Sequence, residues 1–109
     1  MLGHLGETLP YLLWRFDSRA RIYGLKLKKR PSEYIREQIF VTTSGMFSAE
    51  PLLCSIGALG AGRVMFSVDY PFESPDEAAT FIETVPLHDR QRIDVCFRNA
   101  EKLLGLESR

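Results

Sequence analysis

A histidine framed by glycines stands at the start of the chain, in the motif Gly3-His4-Leu5-Gly6-Glu7. The glycines allow the backbone to turn sharply, and Glu7 lies three positions after His4. A carboxylate at this distance can fix the tautomer of an imidazole and raise its basicity, which suits a general acid or base. The alternative is a histidine that caps the start of a helix. The glycine frame and Glu7 favour a catalytic pair.

A second carboxylate of interest, Asp69, directly follows the apolar run 63–68 and precedes Tyr70-Pro71. A carboxylate at the end of a strand is a natural ligand for a divalent metal ion. The competing interpretation is an Asx turn, in which Asp69 bonds the backbone of its own loop. A metal site usually takes three or four protein ligands, and the sequence has two histidines. These residues therefore predict part of a metal site and not a whole one.

Arg15 and Asp17 lie on the helix that we predict after the His4 loop. An arginine in that place can bind the carboxylate of a substrate, whereas a surface ion pair between the two residues is the more common arrangement. His88 is interpreted as a residue at the start of a later helix. It receives no chemical role.

Hydrophobic patterning predicts the elements that must position these residues. Residues 39–43 and 63–68 form short apolar runs, which predicts strands buried on both faces. Helices are predicted at 9–19, 31–38, 48–60 and 74–83, with one or two more between 89 and 104. This alternation is typical of an α/β fold in which helices cover parallel strands.

The same patterning assigns apolar side chains to packing rather than to chemistry. For the helix at 48–60 these are Leu52, Leu53, Ile56 and Leu59. For the tail they are Ile93, Val95, Phe97, Ala100, Leu103 and Leu104.

Functional groups of parallel α/β folds gather in the loops that follow the carboxyl ends of strands. Three segments qualify here, namely 3–7, 43–45 and 69–73, if Leu2-Gly3 is the end of an earlier strand. Two complete strands leave unpaired edges and uncovered apolar faces. We therefore expect further strands outside this sequence.

Composition excludes several classes of protein. Fourteen Lys and Arg balance fourteen Asp and Glu, and the pI is near 6.7, so no net charge favours nucleic acid or an anionic membrane. The apolar runs are far shorter than the roughly 20 residues of a membrane span, and no leader pattern is present. Cys54 and Cys96 have no ligand at metal-binding spacing. We interpret them as reduced, buried thiols of a cytoplasmic protein.

Five motifs follow one another along the chain: Gly3-His4-Leu5-Gly6-Glu7, Leu9-Pro10-Tyr11, Trp14-Arg15-Phe16-Asp17, Thr42-Thr43-Ser44-Gly45 and the run 66–73. In this order and spacing they resemble the C-terminal third of the metal-dependent aromatic-acid decarboxylases of the amidohydrolase superfamily, particularly γ-resorcylate and 2,3-dihydroxybenzoate decarboxylases. The resemblance implies a (β/α)8 barrel, for which about 250 residues is typical. Residues 1–109 would then be a partial amidohydrolase-related domain that holds about strands six to eight and their helices, incomplete as a stand-alone barrel.

The resemblance also implies roles for individual residues. Asp69 matches a metal-binding aspartate, His4 and Glu7 match a catalytic pair, and Arg15 matches an arginine near the substrate. The metal would be Zn²⁺ or Mn²⁺, with its remaining ligands upstream of Met1. The substrate would be an aromatic carboxylic acid, and the full-length protein a homo-oligomer.

The implied reaction is the nonoxidative decarboxylation of a hydroxybenzoate. The ring carbon needs a proton as CO₂ leaves, and either Asp69 or His4 would deliver it, while Arg15 and the metal stabilise charge on the substrate oxygens. Two alternatives stay open: metal-dependent hydrolysis of a lactone or amide, and a non-catalytic fragment that acts only through a partner chain. Because the chain lacks most metal ligands and exposes the edges of a parallel sheet, we expect it to be inactive and poorly stable on its own.

Overall fold

Short parallel strands form the centre of the fold. The computed structural model describes residues 1–106. Strand β1 (Val41–Thr42) pairs in parallel with β2 (Val64–Met65), with Val41 opposite Val64. Both strands are buried, because apolar side chains cover them on both faces.

Leu2 adds a third position to this sheet, on the side of β1 away from β2. It forms a parallel bridge to Val41. Its N–H donates to the carbonyl of Phe40 and its carbonyl accepts from the N–H of Thr42, each at 2.8 Å. Leu2 therefore behaves as the end of a strand, and the loop after it leaves the sheet beside the loop after β1.

Six α-helices pack around the sheet within residues 1–106: α1 (Leu13–Ile22), α2 (Pro31–Gln38), α3 (Ala49–Leu59), α4 (Pro75–Thr84), α5 (Asp89–Ile93) and α6 (Asn99–Leu104). A π-helical turn, Asp94–Arg98, joins α5 to α6, and single 3-10 turns occupy His4–Gly6, Pro10–Leu12 and Ala61–Arg63. None of these helices is long and apolar enough to cross a membrane.

Two helix starts follow directly from the sequence. Ser74 accepts a hydrogen bond at 3.4 Å from the N–H of Glu77, which caps α4 ahead of Pro75 as predicted. At α2, the N–H of Arg30 donates at 2.8 Å to the carboxylate of Glu33. Both bonds satisfy backbone donors near the start of a helix, where the helix itself supplies no partner.

The predicted strands are too long. β1 and β2 each have two paired residues, because the chain turns to other partners beyond them. The N–H of Phe66, which immediately follows β2, donates to the carbonyl of Val95 at 2.8 Å. The helix predicted at 9–19 also begins later, since Pro10–Leu12 forms a 3-10 turn and α1 starts at Leu13.

The buried face of α3 differs from the predicted one. Leu52, Ser55 and Leu59 are buried, whereas Leu53 is 43% exposed. Ser55 takes an interior position because its hydroxyl donates to the carbonyl of Pro51, at 2.9 Å. Cys54, next to it, faces outward.

The expectation of buried thiols is therefore wrong for both cysteines. Cys54 and Cys96 are free and exposed. In the tail, Val95 is fully buried, but Phe97, Leu103 and Leu104 are exposed. Periodicity identified six apolar residues here, but the structure leaves three of them exposed.

One contiguous core lies between the sheet and the helices. Its buried members are Leu5, Leu13, Val41, Leu52, Leu59, Val64, Ile82, Val85 and Val95. Leu5 is 1% exposed. The loop that carries His4 is thus anchored in the core by the residue next to it.

Candidate active site

The loops that follow Leu2, β1 and β2 meet at one edge of the sheet. The N–H of His4 donates to the carbonyl of Ser44 at 2.9 Å, which joins the first loop to the second. The N–H of Gly45 donates to the carbonyl of Val68 at 3.2 Å, which joins the second to the third. The expectation that the ends of parallel strands bring these segments together is confirmed.

His4 stands between two carboxylates. Its Nδ1 lies 2.8 Å from Oε1 of Glu7, within hydrogen-bond distance. Its Nε2 lies 3.5 Å from Oδ2 of Asp69, the distance of a loose ion pair. The three side chains that the sequence singled out for catalysis and metal binding therefore form one chain of contacts, which we call the His4 cluster.

Both carboxylates favour the protonated imidazole. The hydrogen bond with Glu7, and then the contact with Asp69, raise the pKa of His4 above its ordinary value of 6.5, and burial opposes this effect only in part. The side chain of His4 is 45% exposed and that of Asp69 34% exposed. The cluster is thus accessible to a small molecule, and both carboxylates shift the His4 equilibrium towards the protonated ring.

The backbone of the His4 cluster is held in a conformation that side chains disfavour. Within residues 1–106, positive φ angles at non-glycine residues occur at His4, Leu5, Glu7 and Asp69, with values of 50°, 53°, 56° and 86°. Each such residue costs about 1–3 kcal/mol and persists only where the surroundings enforce it. All three members of the cluster are among the four, which is typical of a functional site.

The alternative roles considered for His4 and Asp69 find no support among residues 1–106. Gly3 occupies the position before the 3-10 turn, and no side-chain hydrogen bond caps that turn. The Asp69 loop is closed by the aspartate's backbone carbonyl, which accepts from Phe72 and Glu73 at 2.8 and 3.2 Å. The carboxylate itself points to His4.

Gly45 is a member of this site whose importance the sequence did not reveal. A Cβ atom on this residue would lie 2.7 Å from Cδ2 of His4 and 3.1 Å from Oδ2 of Asp69. The sequence placed Gly45 in a loop after a strand, but its contact with two other loops depends on the tertiary structure. A glycine a few residues after a buried strand was the available signal.

Arg15 lies on an exposed part of α1. Among residues 1–106, no hydrogen bond or ion pair joins Arg15 to the His4 cluster. Its neighbour Asp17 does not form the surface pair considered above. Asp17 instead accepts hydrogen bonds from the N–H and the hydroxyl of Ser32, at 2.8 and 2.6 Å, and so ties α1 to the start of α2.

The residues fit a divalent metal ion only in part. The Asp69 carboxylate and the His4 imidazole are suitable donors for Zn²⁺ or Mn²⁺. Within residues 1–106, however, no three His, Cys, Asp or Glu side chains are grouped so that they could hold a metal ion. The second histidine, His88, precedes α5 as expected, and its N–H donates to the side chain of Gln91 at 3.2 Å.

Comparisons with known proteins identify the family of the chain. The family described as amidohydrolase matches residues 2–106. γ-Resorcylate decarboxylase of Rhizobium radiobacter is 36% identical to the chain over 113 aligned positions, which cover 100% of the chain and 35% of that enzyme. The chain therefore spans about a third of the length of the curated relatives that it matches.

Solved structures give the same result. The 5-carboxyvanillate decarboxylase of Sphingomonas paucimobilis superposes with a TM-score of 0.88 and 38% identity, over 95% of the chain and 33% of that enzyme. A dihydroxybenzoic acid decarboxylase of Polaromonas was solved with bound manganese and the inhibitor 2-nitroresorcinol. It superposes with a TM-score of 0.84 and 36% identity, over 99% of the chain and 34% of that enzyme. The expected α/β segment of a barrel decarboxylase fold is confirmed.

Proposed function

Since the chain belongs to the amidohydrolase family, we propose that it supplies part of the active site of a metal-dependent carboxy-lyase that decarboxylates a hydroxybenzoate without oxidation. The observation that carries this proposal is the position of His4 between Glu7 and Asp69 at the carboxyl ends of parallel strands. Because the chain covers about a third of its relatives, the activity is proposed for an assembly that contains the rest of such a barrel.

Asp69 is the proposed metal ligand of this chain. Its carboxylate is partly exposed at the strand ends and carries one oxygen that does not face His4. When bound, Mn²⁺ or Zn²⁺ would supply positive charge for the carboxylate and the adjacent hydroxyl of the substrate. The manganese in the Polaromonas decarboxylase favours Mn²⁺ for the first experiments. The remaining ligands would come from outside residues 1–106.

His4 and Glu7 are the proposed catalytic pair. Glu7 accepts from Nδ1, so the Nε2 atom of the protonated ring directs its proton towards Asp69. During the reaction the bond between the ring carbon and the carboxylate breaks, CO₂ leaves, and the ring carbon gains one proton. His4 holds that proton in reserve, and either its Nε2 or Oδ2 of Asp69 delivers it.

Arg15 is kept as a proposed substrate-binding residue. Its exposed position on α1 leaves the guanidinium free of partners within residues 1–106. A planar guanidinium can pair with a carboxylate through two parallel hydrogen bonds. The substrate would be an aromatic acid with a hydroxyl next to its carboxylate.

Two broader expectations belong to the same proposal. The free, exposed thiols of Cys54 and Cys96 support a reducing compartment such as the cytoplasm. Several aromatic side chains lie on the surface, among them Tyr11, which is 78% exposed, and Trp14, which is 74% exposed. These surfaces support a homo-oligomer, because contact between subunits would cover them.

The proposed reaction can be tested by reconstitution. The chain is combined with the part of the Rhizobium radiobacter enzyme that it does not match, in the presence of Mn²⁺, and CO₂ release from 2,6-dihydroxybenzoate is measured. We expect release by the mixture and none by either part alone. A reconstituted, manganese-containing complex that hydrolyses lactones or amides and releases no CO₂ would contradict decarboxylation. A complex with neither activity would favour the non-catalytic alternative.

A further inference from the structure

The segment Thr43–Gly45 lies between the loops that carry His4 and Asp69, and it contacts both. On one side, the carbonyl of Ser44 accepts from the N–H of His4 at 2.9 Å. On the other side, the N–H of Gly45 donates to the carbonyl of Val68, the residue before Asp69. The separation of His4 from Asp69 is therefore set through this segment.

Thr43 fixes the segment to the third loop with its side chain. Its hydroxyl donates to the carbonyl of Ser67 at 2.8 Å and accepts from the N–H of the same residue at 3.0 Å. Thr43 is fully buried. Buried hydrogen bonds that satisfy both partners are rigid, because breaking them leaves unpaired polar groups away from water.

Gly45 lies against the side chains of both His4 and Asp69. Its φ angle is +68°, and its missing side chain would point between the imidazole and the carboxylate. At 2.7 Å from Cδ2 of His4, a Cβ atom would be closer than real Cβ contacts are. It would also be 3.1 Å from Nε2 of His4 and from Oδ2 of Asp69. Any larger residue must therefore move one of the two side chains.

We propose that Gly45 is a positioning residue, which lets His4 and Asp69 approach each other because it has no side chain. Its consequence for catalysis rests on the function proposed above, whereas the geometric claim does not. Gly45 itself supplies no group to the reaction. It acts through the imidazole, whose Nε2 it keeps directed at Oδ2 of Asp69.

Gly24 provides a matched control for the substitution Gly45→Ala. Its φ angle is +66°, close to that of Gly45, but a Cβ atom there would meet nothing within 4 Å. Gly24→Ala and Gly45→Ala therefore place an alanine at nearly the same positive φ, and only the second introduces the clash. Gly24→Ala should lower the melting temperature by about 4–8 °C, which is the effect of one left-handed alanine in a domain of this size.

The first readout is the pair of imidazole ¹⁵N signals of His4, recorded at one fixed pH in the full chain. We expect Gly45→Ala to shift both ring nitrogens, because the ring loses its place beside Asp69. Gly24→Ala should leave them at the parent positions. Parent-like His4 signals in Gly45→Ala would overturn the proposal, as would equal changes in the two variants.

A double substitution covers the case in which Gly45→Ala does not fold. His4→Ala removes the atoms closest to the added methyl group, so Gly45→Ala should lower the melting temperature less in that background than in the parent. If Gly45→Ala alone is unfolded, His4→Ala/Gly45→Ala should fold. Equal effects in both backgrounds, or a double variant that stays unfolded, would contradict the proposed contact.

The reconstituted enzyme supplies the catalytic readout. Gly45→Ala should lower kcat by about 100-fold with little change in KM, since misplacing a reacting group by an ångström costs about that much. Gly24→Ala should match the parent in both constants. A parent complex without activity would refute the proposed reaction and leave the ¹⁵N result to decide on Gly45. An active complex whose kcat is insensitive to Gly45→Ala would overturn the positioning role.

Discussion

The two ring nitrogens of His4 have different partners, and this difference determines what the residue can do. A neutral imidazole donates from one nitrogen only, whereas the protonated ring donates from both. Glu7 holds Nδ1 at 2.8 Å, and Asp69 faces Nε2 at 3.5 Å. Only the protonated ring can donate to both carboxylates, with Nδ1–H directed at Glu7 and Nε2–H at Asp69, the proposed metal ligand.

The substitution Glu7→Gln tests this arrangement directly. Glutamine can still accept a hydrogen bond but carries no charge, so we expect the pKa of His4 to fall towards 6.5. Because the folded-state pKa of His4 is raised, the stability that it confers is present below pH 6.5 and is lost as the pH rises through that raised value. An NMR titration of the His4 ring measures the shift. The exposed Glu83→Gln on α4 is the control, and an unchanged His4 titration in Glu7→Gln would contradict the account.

At the residue scale, sequence spacing was sufficient for local contacts and insufficient for those between loops. Glu7 could be paired with His4 because it lies three positions after it along the chain. Gly45 could not be identified, because its contact is with side chains 41 and 24 positions away in sequence (45 − 4 and 69 − 45). The left-handed backbone of Asp69 was equally hidden, since that conformation is signalled by glycine and the residue is an aspartate.

At the scale of elements, Asp17 shows how α1 and α2 are held together. Burial alone would raise the pKa of its carboxyl group, but the hydrogen bonds from Ser32 and the nearby charges of Arg30 and Arg36 lower that pKa instead. The two bonds from Ser32 also satisfy a donor in the first turn of α2. The carboxylate thus acts as a cap supplied by a different helix.

We predict that Asp17→Asn destabilises the chain by about 1.5–3 kcal/mol at neutral pH, the usual value for hydrogen bonds to a charged group. The folded-state pKa of Asp17 lies below 3.8, so this stabilisation is present above that pH and disappears as the pH falls through the folded-state value. Urea unfolding of parent and variant at several pH values measures it. The control Asp89→Asn replaces an exposed acidic residue of α5 and should change the free energy of unfolding little. A difference independent of pH would show that the charge is not responsible.

Elements with capping signals were predicted well, and elements defined only by apolar runs were not. Ser74 marked the start of α4 because its hydroxyl accepts from a free backbone N–H, and Pro31 marked the start of α2 because proline has no N–H that would lack a partner there. The runs 39–43 and 63–68 gave strands of two residues each. Strand length depends on which neighbour the backbone finds, and that information is not local.

At the scale of the whole molecule, the chain is more open than a closed domain. Its radius of gyration is 15.1 Å, compared with about 13 Å for a compact domain of roughly 100 residues. Large apolar side chains are exposed along the chain. In the loop after Asp69, Tyr70 is 76% exposed and Phe72 is 83% exposed. Since this loop belongs to the proposed site, we expect the rest of the barrel to cover it and to complete the metal ligands.

The most direct test of the central claim is the rate of CO₂ release from 2,6-dihydroxybenzoate by the reconstituted, manganese-loaded complex that contains Asp69→Asn. The matched control is Asp76→Asn, which replaces an exposed acidic residue of α4. We predict that Asp69→Asn lowers kcat by at least about 100-fold, as expected for loss of a group that holds the metal or transfers the proton, and that Asp76→Asn retains the parent rate. Parent-like turnover and manganese content in Asp69→Asn would contradict the account.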